Sequence, residues 1–418
     1  MKVGLLCGQK RIDLVLPDSV HLLETKPVAA LPDPAGAVRE ALRRPIGSRP
    51  LPELARGKKS ACMVISDVTR PVPNRILLPP LLKALHESGI SQEAVTILIA
   101  TGMHRPNQGE ELRSMVGAEI MDQYRIVNHY CRDDSQYRKI DDIDGAPIEI
   151  NRHYLDADLK ILTGLIEPHF YAGYSGGRKS LLPGLSSFET MKFMHSFRMI
   201  DHPKVTNCIL DGNPFHEYGL RVADLAGVDF LLNVVINMER KIAGVFAGDH
   251  RQAHRAGCDM VYRNSVADLK QPVDLVITSG GGYPLDATFY QMSKALICAK
   301  NILKKGGAIL LVCGCSEGLG SPEFAGIMRS VCSPVEFKCK HCKPEGFVID
   351  QWCAQNIYQA LGHAGEVYLY SPGLSEEDVR KMGAGKIEDV QDTVNRLLER
   401  YPRAAVSPEG PYVVGMVE

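Results

Sequence analysis

Three short apolar segments, each followed by a polar loop, constrain the fold of this chain more than any other feature. They are A-C-M-V-I-S (Ala61–Ser66), A-V-T-I-L-I-A (Ala94–Ala100) and L-K-I-L-T-G-L-I (Leu159–Ile166). Their length and β-branched content are typical of buried strands, and Ile76–Ser88 between the first two has a helical pattern. Strands that alternate with helices predict an α/β protein with mainly parallel sheets.

The same pattern restarts near Gln271, which predicts a second domain. Val273–Thr278 is a predicted strand, and Thr288–Lys304 is a predicted long helix. The chain has 418 residues, more than the usual size of one domain, about 100 to 200 residues. We predict an N-terminal α/β domain over residues 1–267, a C-terminal α/β domain over 268–405, and a terminal strand within 406–418 that could join either sheet.

The N-terminal residues and the overall charge exclude several classes of protein. Residues 1–60 are turn-rich and predict a lead-in packed on the first domain. The net charge is −1 and there is no polybasic run, so we predict no nucleic-acid partner. The start, M-K-V-G-L-L-C, is too short for a secretory signal, and no segment approaches the roughly 20 apolar residues of a membrane helix. These features favour a cytoplasmic protein without membrane contact.

The cysteine pattern is that of an intracellular protein. Twelve cysteines are spread from Cys7 to Cys353, which fits reduced thiols better than a disulfide framework. Cys339 and Cys342 have the C-x-x-C spacing of half a zinc site, but no second pair of ligands follows. Half of a zinc site and a loop with free thiols both remain open for this segment.

The third apolar segment leads into a glycine-rich basic stretch, E-P-H-F-Y-A-G-Y-S-G-G-R-K-S (Glu167–Ser180). Turns of this kind bind anions, because backbone N–H groups point outward at the strand end. His169, Arg178 and Lys179 add a proton carrier, a cation and an amine. Arg178 interrupts the P-loop pattern G-x-x-x-x-G-K-[ST], and G-x-G-x-x-G is absent from the sequence.

Several chemically active side chains follow the predicted strands. Because the carboxyl ends of parallel strands meet at one edge of a sheet, we expect these side chains to share a crevice. They are Asp67, Arg70, His104, His169 and Lys179. Two histidines suit acid/base chemistry, and the cations suit a carboxylate or a phosphate. Such a pair of bases suggests inversion at a carbon, but inversion of a 2-hydroxy acid through oxidation needs a hydride acceptor that these residues do not reveal.

Two further groups of residues are candidates from spacing. The stretch Ser186-Ser187-Phe188-Glu189 has capping-box spacing and predicts a helix that begins near Ser187 and carries His195, where a packed histidine is more typical than a metal ligand. Tyr290, Gln291 and Lys294 fall on one face of the predicted long helix.

Taken together, the motifs resemble those of the nickel-pincer-dependent lactate racemase family, in order along nearly the whole chain. The motifs are S-D-V-T-R-P-V-P (Ser66–Pro73), A-T-G-M-H-R-P (Ala100–Pro106), E-P-H-F-Y-A-G-Y-S-G-G-R-K-S-L-L-P-G (Glu167–Gly184), Met194-His195-Ser196, G-G-Y-P-L-D-x-x-x-Y-Q-x-x-K (Gly281–Lys294) and D-Q-W (Asp350–Trp352). As a set they are far more specific than any one of them.

The resemblance implies a cofactor, the nickel-pincer nucleotide, of the pyridinium-3-thioamide-5-thiocarboxylate mononucleotide type. Lys179 matches the lysine that holds this cofactor covalently, and His195 matches the histidine that completes the nickel coordination. The turn of Gly176, Gly177 and Arg178, with Ser180, is expected near the cofactor phosphate. The resemblance also implies cofactor-synthesis enzymes as partners.

The resemblance further implies the chemistry. His104 and His169 match two catalytic bases, which handle the hydroxyl proton while hydride moves to the cofactor and back through a 2-keto acid. Positions lining such a site are matched by Asp67, Arg70, Tyr290, Gln291, Lys294 and Trp352. Arg70 and Lys294 are candidates for an anion, Asp67 for orienting a neighbour, and Trp352 for an apolar wall or a core residue. The expected architecture is two α/β domains with the site in the cleft between them.

The substrate and two other classes of function stay open. Lactate or a short aliphatic 2-hydroxy acid is the default, and malate, 2-hydroxyglutarate, phenyllactate and gluconate are alternatives within the family. Outside it, His104, His169 and His195 could be ligands of a metal-dependent hydrolase or lyase. The turn from Gly176 to Ser180 could instead belong to a protein that binds a phosphate ligand.

Overall fold

The computed structural model describes residues 1–417 and divides them into two compact units. We call Pro27–His195 with Cys208–Asn264 the central unit. Met1–Lys26, Ser196–Asn207 and the chain from Ser265 onward form the terminal unit. Both names refer to position in the sequence alone. Among the described helices, none combines the length and the apolar composition that crossing a bilayer requires.

The strands alternate with helices along most of the described chain. In chain order the strands are β1 (Lys2–Cys7), β2 (Lys10–Val15), β3 (His21–Leu22), β4 (Ala61–Ser66), β5 (Val95–Ala100), β6 (Arg125–Asn128), β7 (Tyr137–Ile143), β8 (Ala146–Asn151), β9 (Leu159–Leu165), β10 (Pro168–His169), β11 (Gly173–Tyr174), β12 (Phe230–Ile236), β13 (Ile242–Gly248), β14 (Val266–Leu269), β15 (Val273–Ser279), β16 (Leu303–Val312), β17 (Glu366–Tyr370), β18 (Gly385–Lys386), β19 (Ala404–Ser407) and β20 (Val414–Val417).

The α-helices are mostly two to four turns long. They are α1 (Pro34–Arg43), α2 (Leu51–Ala55), α3 (Asn74–Glu87), α4 (Gly109–Val116), α5 (Ala118–Gln123), α6 (Arg152–Leu155), α7 (Phe188–Met194), α8 (Phe197–Ile200), α9 (Pro214–Ala226), α10 (Gln252–Ser265), α11 (Ser293–Ile302), α12 (Pro322–Ser330), α13 (Pro334–His341), α14 (Gln351–His363), α15 (Glu376–Lys381) and α16 (Val390–Arg400).

The central unit is built on a six-stranded sheet with the order β13-β12-β9-β4-β5-β6. All neighbours are parallel except β13, which forms an antiparallel hairpin with β12 at one edge. Residues 61–65 of β4 are all buried, as expected for a strand covered on both faces. The α/β class and the parallel arrangement of the three apolar segments are confirmed.

The strand order places a crevice beside β4. From β4 the sheet continues to β5 and β6 on one side and to β9 and β12 on the other. The loops that leave the carboxyl ends of β4 and β9 therefore diverge, which is where open α/β sheets bind ligands. The glycine-rich stretch begins directly after β9 and contains the small ladder of β10 and β11.

The terminal unit contains a second six-stranded sheet, in the order β18-β17-β16-β15-β19-β3, and every pair is parallel. Its edge strand β3 comes from the N-terminal segment Met1–Lys26. The hairpin of β1 and β2 also belongs here, because Val3, Leu5 and Leu14 share one core with Leu275 and Leu310. This segment thus lies in the terminal unit rather than in a lead-in on the first domain. The last strand, β20, pairs with β14 in a small parallel sheet of its own.

The predicted long helix over Thr288–Lys304 is wrong. The structure has short 3₁₀ turns at Leu285–Ala287 and Phe289–Met292, followed by α11. Thr288 has extended backbone angles (φ −127°, ψ 149°), which interrupt the helix, and β16 already begins at Leu303. Tyr290 and Gln291 therefore precede α11, and only Lys294 lies on it.

Candidate active site

Asp67 and His104 form a hydrogen-bonded pair at the carboxyl ends of β4 and β5. The Asp67 carboxylate is buried, with one oxygen 2.6 Å from His104 Nδ1 and the other accepting the Thr69 hydroxyl at 2.6 Å. Because a carboxylate only accepts, the proton of the neutral imidazole lies on Nδ1 and the lone pair on Nε2. The largely exposed His104 ring can therefore act as a base through Nε2.

An ion pair spans the loops that leave β4 and β9. Arg70 Nη1 lies 2.9 Å from Glu167 Oε1, and both side chains are about one-third exposed. The pair joins the two loops that border the crevice. Glu167 stood in the motif but was not among the predicted site residues, because its sequence position alone does not show that it faces Arg70.

His169 and Lys179 meet inside the glycine-rich stretch. His169 Nε2 lies 2.7 Å from Lys179 Nζ, and His169 Nδ1 accepts the backbone N–H groups of Tyr171 (3.1 Å) and Ala172 (3.3 Å). Backbone N–H groups only donate, so the proton of the neutral ring lies on Nε2. A hydrogen bond from Nε2–H to Lys179 requires the unprotonated amine, which is the nucleophilic form.

The glycines of the turn allow close packing against a buried strand. Gly176 and Gly177 have φ of 73° and 56°. A Cβ on Gly176 would lie 2.6 Å from Asn233 Oδ1, the same oxygen that accepts the Gly177 N–H at 2.9 Å. Asn233 on β12 therefore holds the glycine turn in place, and no sequence motif indicated this role. Ser180 is buried, and its hydroxyl donates to Thr163 O at 3.3 Å.

Arg178 points into the protein rather than towards the crevice. Its side chain is only 1% exposed, and its nearest polar groups are the carbonyls of Ala172 and Gly176 and the ring of His254. The turn itself is a short 3₁₀ segment, Gly177–Ser180, and not the start of a long helix. The expected contact between the turn and a cofactor phosphate stays a prediction.

His195 is the C-cap residue of α7, which begins after Ser187 as predicted, although Ser187 caps it through Thr190 N–H and not through a box with Glu189. Its Nδ1 lies 3.0 Å from Met191 O, so Nδ1 carries the proton and the lone pair is on Nε2. The rings of Tyr171 and Phe215 contact it edge to face. Burial is the main cause that lowers the pKa of His195 to about 4, and the hydrogen bond to Met191 O opposes it. The ring is neutral at physiological pH, the state that binds metals.

The remaining predicted residues lie in the terminal unit. Trp352 Nε1 donates to the Tyr290 hydroxyl at 3.3 Å, and burial raises the pKa of Tyr290, so its hydroxyl keeps its proton at neutral pH. A cavity of ≈250 Å³ adjoins Tyr290, and Asp350 and Glu317 also line it. Gln291 and Lys294 are half-buried.

The described residues contain no group of three or more His, Cys, Asp or Glu side chains that could hold a metal ion. Cys339 and Cys342 are exposed free thiols near the end of α13. Cys339 lies in the last turn of α13 and Cys342 directly follows this helix, so the segment is helical and not a loop.

Comparison with known proteins identifies both parts of the chain. Residues 7–207 match the lactate racemase N-terminal domain, and residues 269–414 match the lactate racemase C-terminal domain. The lactate racemase of Lactiplantibacillus plantarum is 37% identical over 383 residues, 90% of each chain. That of Thermoanaerobacterium thermosaccharolyticum is 34% identical over 90% of this chain and 89% of its own.

Solved structures agree with these matches. The lactate racemase apoprotein from Thermoanaerobacterium thermosaccharolyticum superposes with a TM-score of 0.91 at 32% identity, covering 99% of this chain and 100% of its own. A Thermotoga maritima protein at 18% identity shares the fold, with a TM-score of 0.66 and coverage of 92% and 98%. Because both domain models match and the two lactate racemases align along most of its length, the chain belongs to the lactate racemase family and is an enzyme of the isomerase class.

Proposed function

We propose that this enzyme inverts the C2 stereocentre of a 2-hydroxy acid, with lactate as the first candidate, using a nickel-pincer nucleotide held by Lys179 and His195. Family membership supports the racemase class. The observation that carries the mechanism is the opposite protonation of the two histidines. His104 offers a lone pair at Nε2, because Asp67 holds its Nδ1–H, whereas His169 offers an N–H at Nε2. The first ring can accept a proton, and the second can donate a hydrogen bond.

The residues fit the cofactor on two counts. Lys179 offers an amine that accepts from His169, as covalent attachment requires, and His195 is neutral with its Nε2 lone pair set for a metal. Asp67, Arg70, Gly176, Gly177 and Ser180 belong to the loops around this position. When bound, the cofactor supplies a hydride acceptor, so that the substrate passes through a 2-keto acid. A cytoplasmic enzyme of this kind depends on cofactor-synthesis enzymes as partners.

The histidines then divide the proton transfers. For one enantiomer, His104 Nε2 accepts the hydroxyl proton while C2 is oxidised, and Asp67 stabilises the imidazolium that results. When the 2-keto acid is reduced on its other face, the His104 imidazolium returns this proton to the oxygen, and His169 Nε2–H can hydrogen-bond that oxygen while keeping its own proton. For the opposite enantiomer His169 is the base, which requires its proton to leave Nε2 first.

The substrate carboxylate requires a cation, and Arg70 and Lys294 are our candidates. Arg70 already pairs with Glu167 at 2.9 Å. A substrate carboxylate would therefore either replace Glu167 at Arg70 or bind Arg70 beside it. Tyr290, Gln291 and Trp352 are assigned to the substrate by their motif positions. The other family substrates, malate, 2-hydroxyglutarate, phenyllactate and gluconate, belong in the same screen.

The test is intact mass, metal analysis and racemisation on protein produced together with the cofactor-synthesis enzymes. We expect a covalent adduct that maps to Lys179, bound nickel, and racemisation of at least one 2-hydroxy acid. Lys179→Ala should lose the adduct and all turnover, because the attachment needs this amine. Lys83→Ala is the control, since Lys83 is exposed on α3 and pairs with the surface residue Glu87.

A contrary result would be equally clear. Unmodified protein that holds zinc and racemises nothing, despite an active synthesis system, would exclude the proposed cofactor and favour a metal-dependent hydrolase or lyase.

A further inference from the structure

Arg178 is the largest fully buried side chain of the described residues, and its environment is unusual for a cation. Within residues 1–417, no carboxylate is among the groups that affect the pKa of Arg178. Burial lowers its pKa to about 10, so the guanidinium is still charged at neutral pH. A buried charge without a counter-ion is costly unless hydrogen bonds use its donors, and in Arg178 the two Nη groups have partners whereas Nε has none. What these donors hold therefore shows the role of the side chain.

The donors hold the loop between His169 and Lys179. Nη2 donates to Ala172 O, and Nη1 lies 3.5 Å from Gly176 O and 3.1 Å from His254 Nε2. Burial, and next the charge of Arg178, lowers the pKa of His254 to about 3. His254 is therefore neutral at physiological pH, and its Nε2 lies 2.9 Å from Ser175 O as well as 3.1 Å from Arg178 Nη1, so it can either donate to the carbonyl or accept from the arginine, but not both.

Ala172 connects Arg178 to His169. Its carbonyl accepts from Arg178, and its N–H donates to His169 Nδ1 at 3.3 Å, beside the N–H of Tyr171 at 3.1 Å. These two N–H groups hold the His169 proton on Nε2, which lies 2.7 Å from Lys179 Nζ. The site is also shaped around the arginine, since a Cβ on Gly219 would lie 3.0 Å from Arg178 Cγ.

We propose that Arg178 is a positioning residue that fixes, through Ala172, the orientation and the tautomer of His169, and that its side chain does not bind the cofactor phosphate. With Arg178 in place, His169 keeps its proton on Nε2 and faces Lys179. The consequence for catalysis rests on the proposed function, whereas the tautomer of His169 does not depend on it.

The first test is nitrogen NMR of histidine side chains in the full-length, cofactor-free protein, with His169 assigned through the His169→Gln variant. We expect the Nε2–H tautomer in the wild type and a mixture of both tautomers in Arg178→Gln. The control is Arg255→Gln, because Arg255 follows His254 on α10 but is exposed and binds Asp211 at 2.7 and 2.9 Å. An unchanged His169 tautomer in Arg178→Gln would overturn the proposal. If that variant does not fold, Arg178→Lys decides in the same way, because an ammonium cannot reproduce the planar fork.

The second test uses cofactor-loaded protein and separates positioning from phosphate binding. In Arg178→Gln we expect kcat to fall about 100-fold, in the range of a lost acid/base group, with KM changed less than about twofold, and a similar fall in Arg178→Lys, because an ammonium cannot reproduce the planar fork. Binding of nicotinic acid mononucleotide to the cofactor-free protein should be unchanged, and its loss would show that Arg178 is a phosphate ligand. If the wild type shows no turnover, the proposed function is contradicted, but the proposal for Arg178 is not. The NMR experiment on the cofactor-free protein then still decides the role of Arg178.

Discussion

In the central unit, the groups that contact Nδ1 of each site histidine determine which ring nitrogen carries the proton. His104 has a carboxylate at Nδ1, His195 a carbonyl, and His169 two N–H groups. The first two rings therefore present a lone pair at Nε2, and the third presents a proton. Three histidines of one chain thus differ in chemistry because of their neighbours in the fold.

Asp67 gives the sharpest prediction at this scale. In Asp67→Asn the amide can donate to His104 Nδ1 as readily as accept from it, so the His104 lone pair is no longer held on Nε2. The protonated His104 ring also loses the negative carboxylate that stabilises it. We expect kcat to fall about 100-fold or more. The measurement is steady-state racemisation of both enantiomers by circular dichroism. Asp142→Asn is the control, since Asp142 is exposed and pairs with Lys139 on the hairpin of β7 and β8. A variant with wild-type kcat would remove Asp67 from the mechanism.

Elements of structure were predicted from sequence where their pattern is local. The buried strands β4, β5 and β9 have continuous apolar runs, and the Ser187 cap has a fixed spacing, so both were found. The break at Thr288 and the hairpin of β1 and β2 were not, because they depend on contacts with distant segments. The same limit applies to the site. Motifs indicated His169 and Lys179, whereas Asn233, His254 and the inward direction of Arg178 follow from tertiary packing alone.

The turn before Lys179 is the element whose geometry is most demanding. Gly177→Ala adds a side chain at φ of 56° and places its Cβ 2.8 Å from the buried His254 ring. Backbone strain of about 1 to 2 kcal/mol and a similar cost of overpacking should together destabilise the central unit by about 2 to 4 kcal/mol. Gly57→Ala separates the two effects, because Gly57 has φ of 78° but no atom within 4 Å of the added Cβ. Urea unfolding should show a clearly smaller loss for Gly57→Ala, and equal losses would mean that strain alone matters.

At the scale of the whole molecule, the chain does not divide at one point into two consecutive domains. The segment Met1–Lys26 supplies an edge strand and a hairpin to the terminal unit, although the whole central unit separates it in sequence from the other strands of that sheet. Val3, Leu5 and Leu14 complete a core that they share with Leu275 and Leu310. The terminal unit is therefore complete only when both ends of the chain are present. This arrangement favours folding of the central unit without the terminal one, since its segments lie closer together in sequence.

Two adjacent leucines on β1 test this dependence. Leu5 is fully buried in the core of the terminal unit, whereas Leu6 is 37% exposed on the opposite face of the strand. Leu5→Ala should cost about 2 to 5 kcal/mol, as expected for a buried leucine, and Leu6→Ala under about 1 kcal/mol. Peptide-level hydrogen exchange shows where the loss falls. In Leu5→Ala we expect faster exchange in β15, β16 and β19, while β4, β5 and β9 keep wild-type protection, because the hairpin belongs to the core of the terminal sheet. Equal losses for the two leucines, or faster exchange confined to β4, β5 and β9, would mean that the N-terminal hairpin does not stabilise the terminal unit.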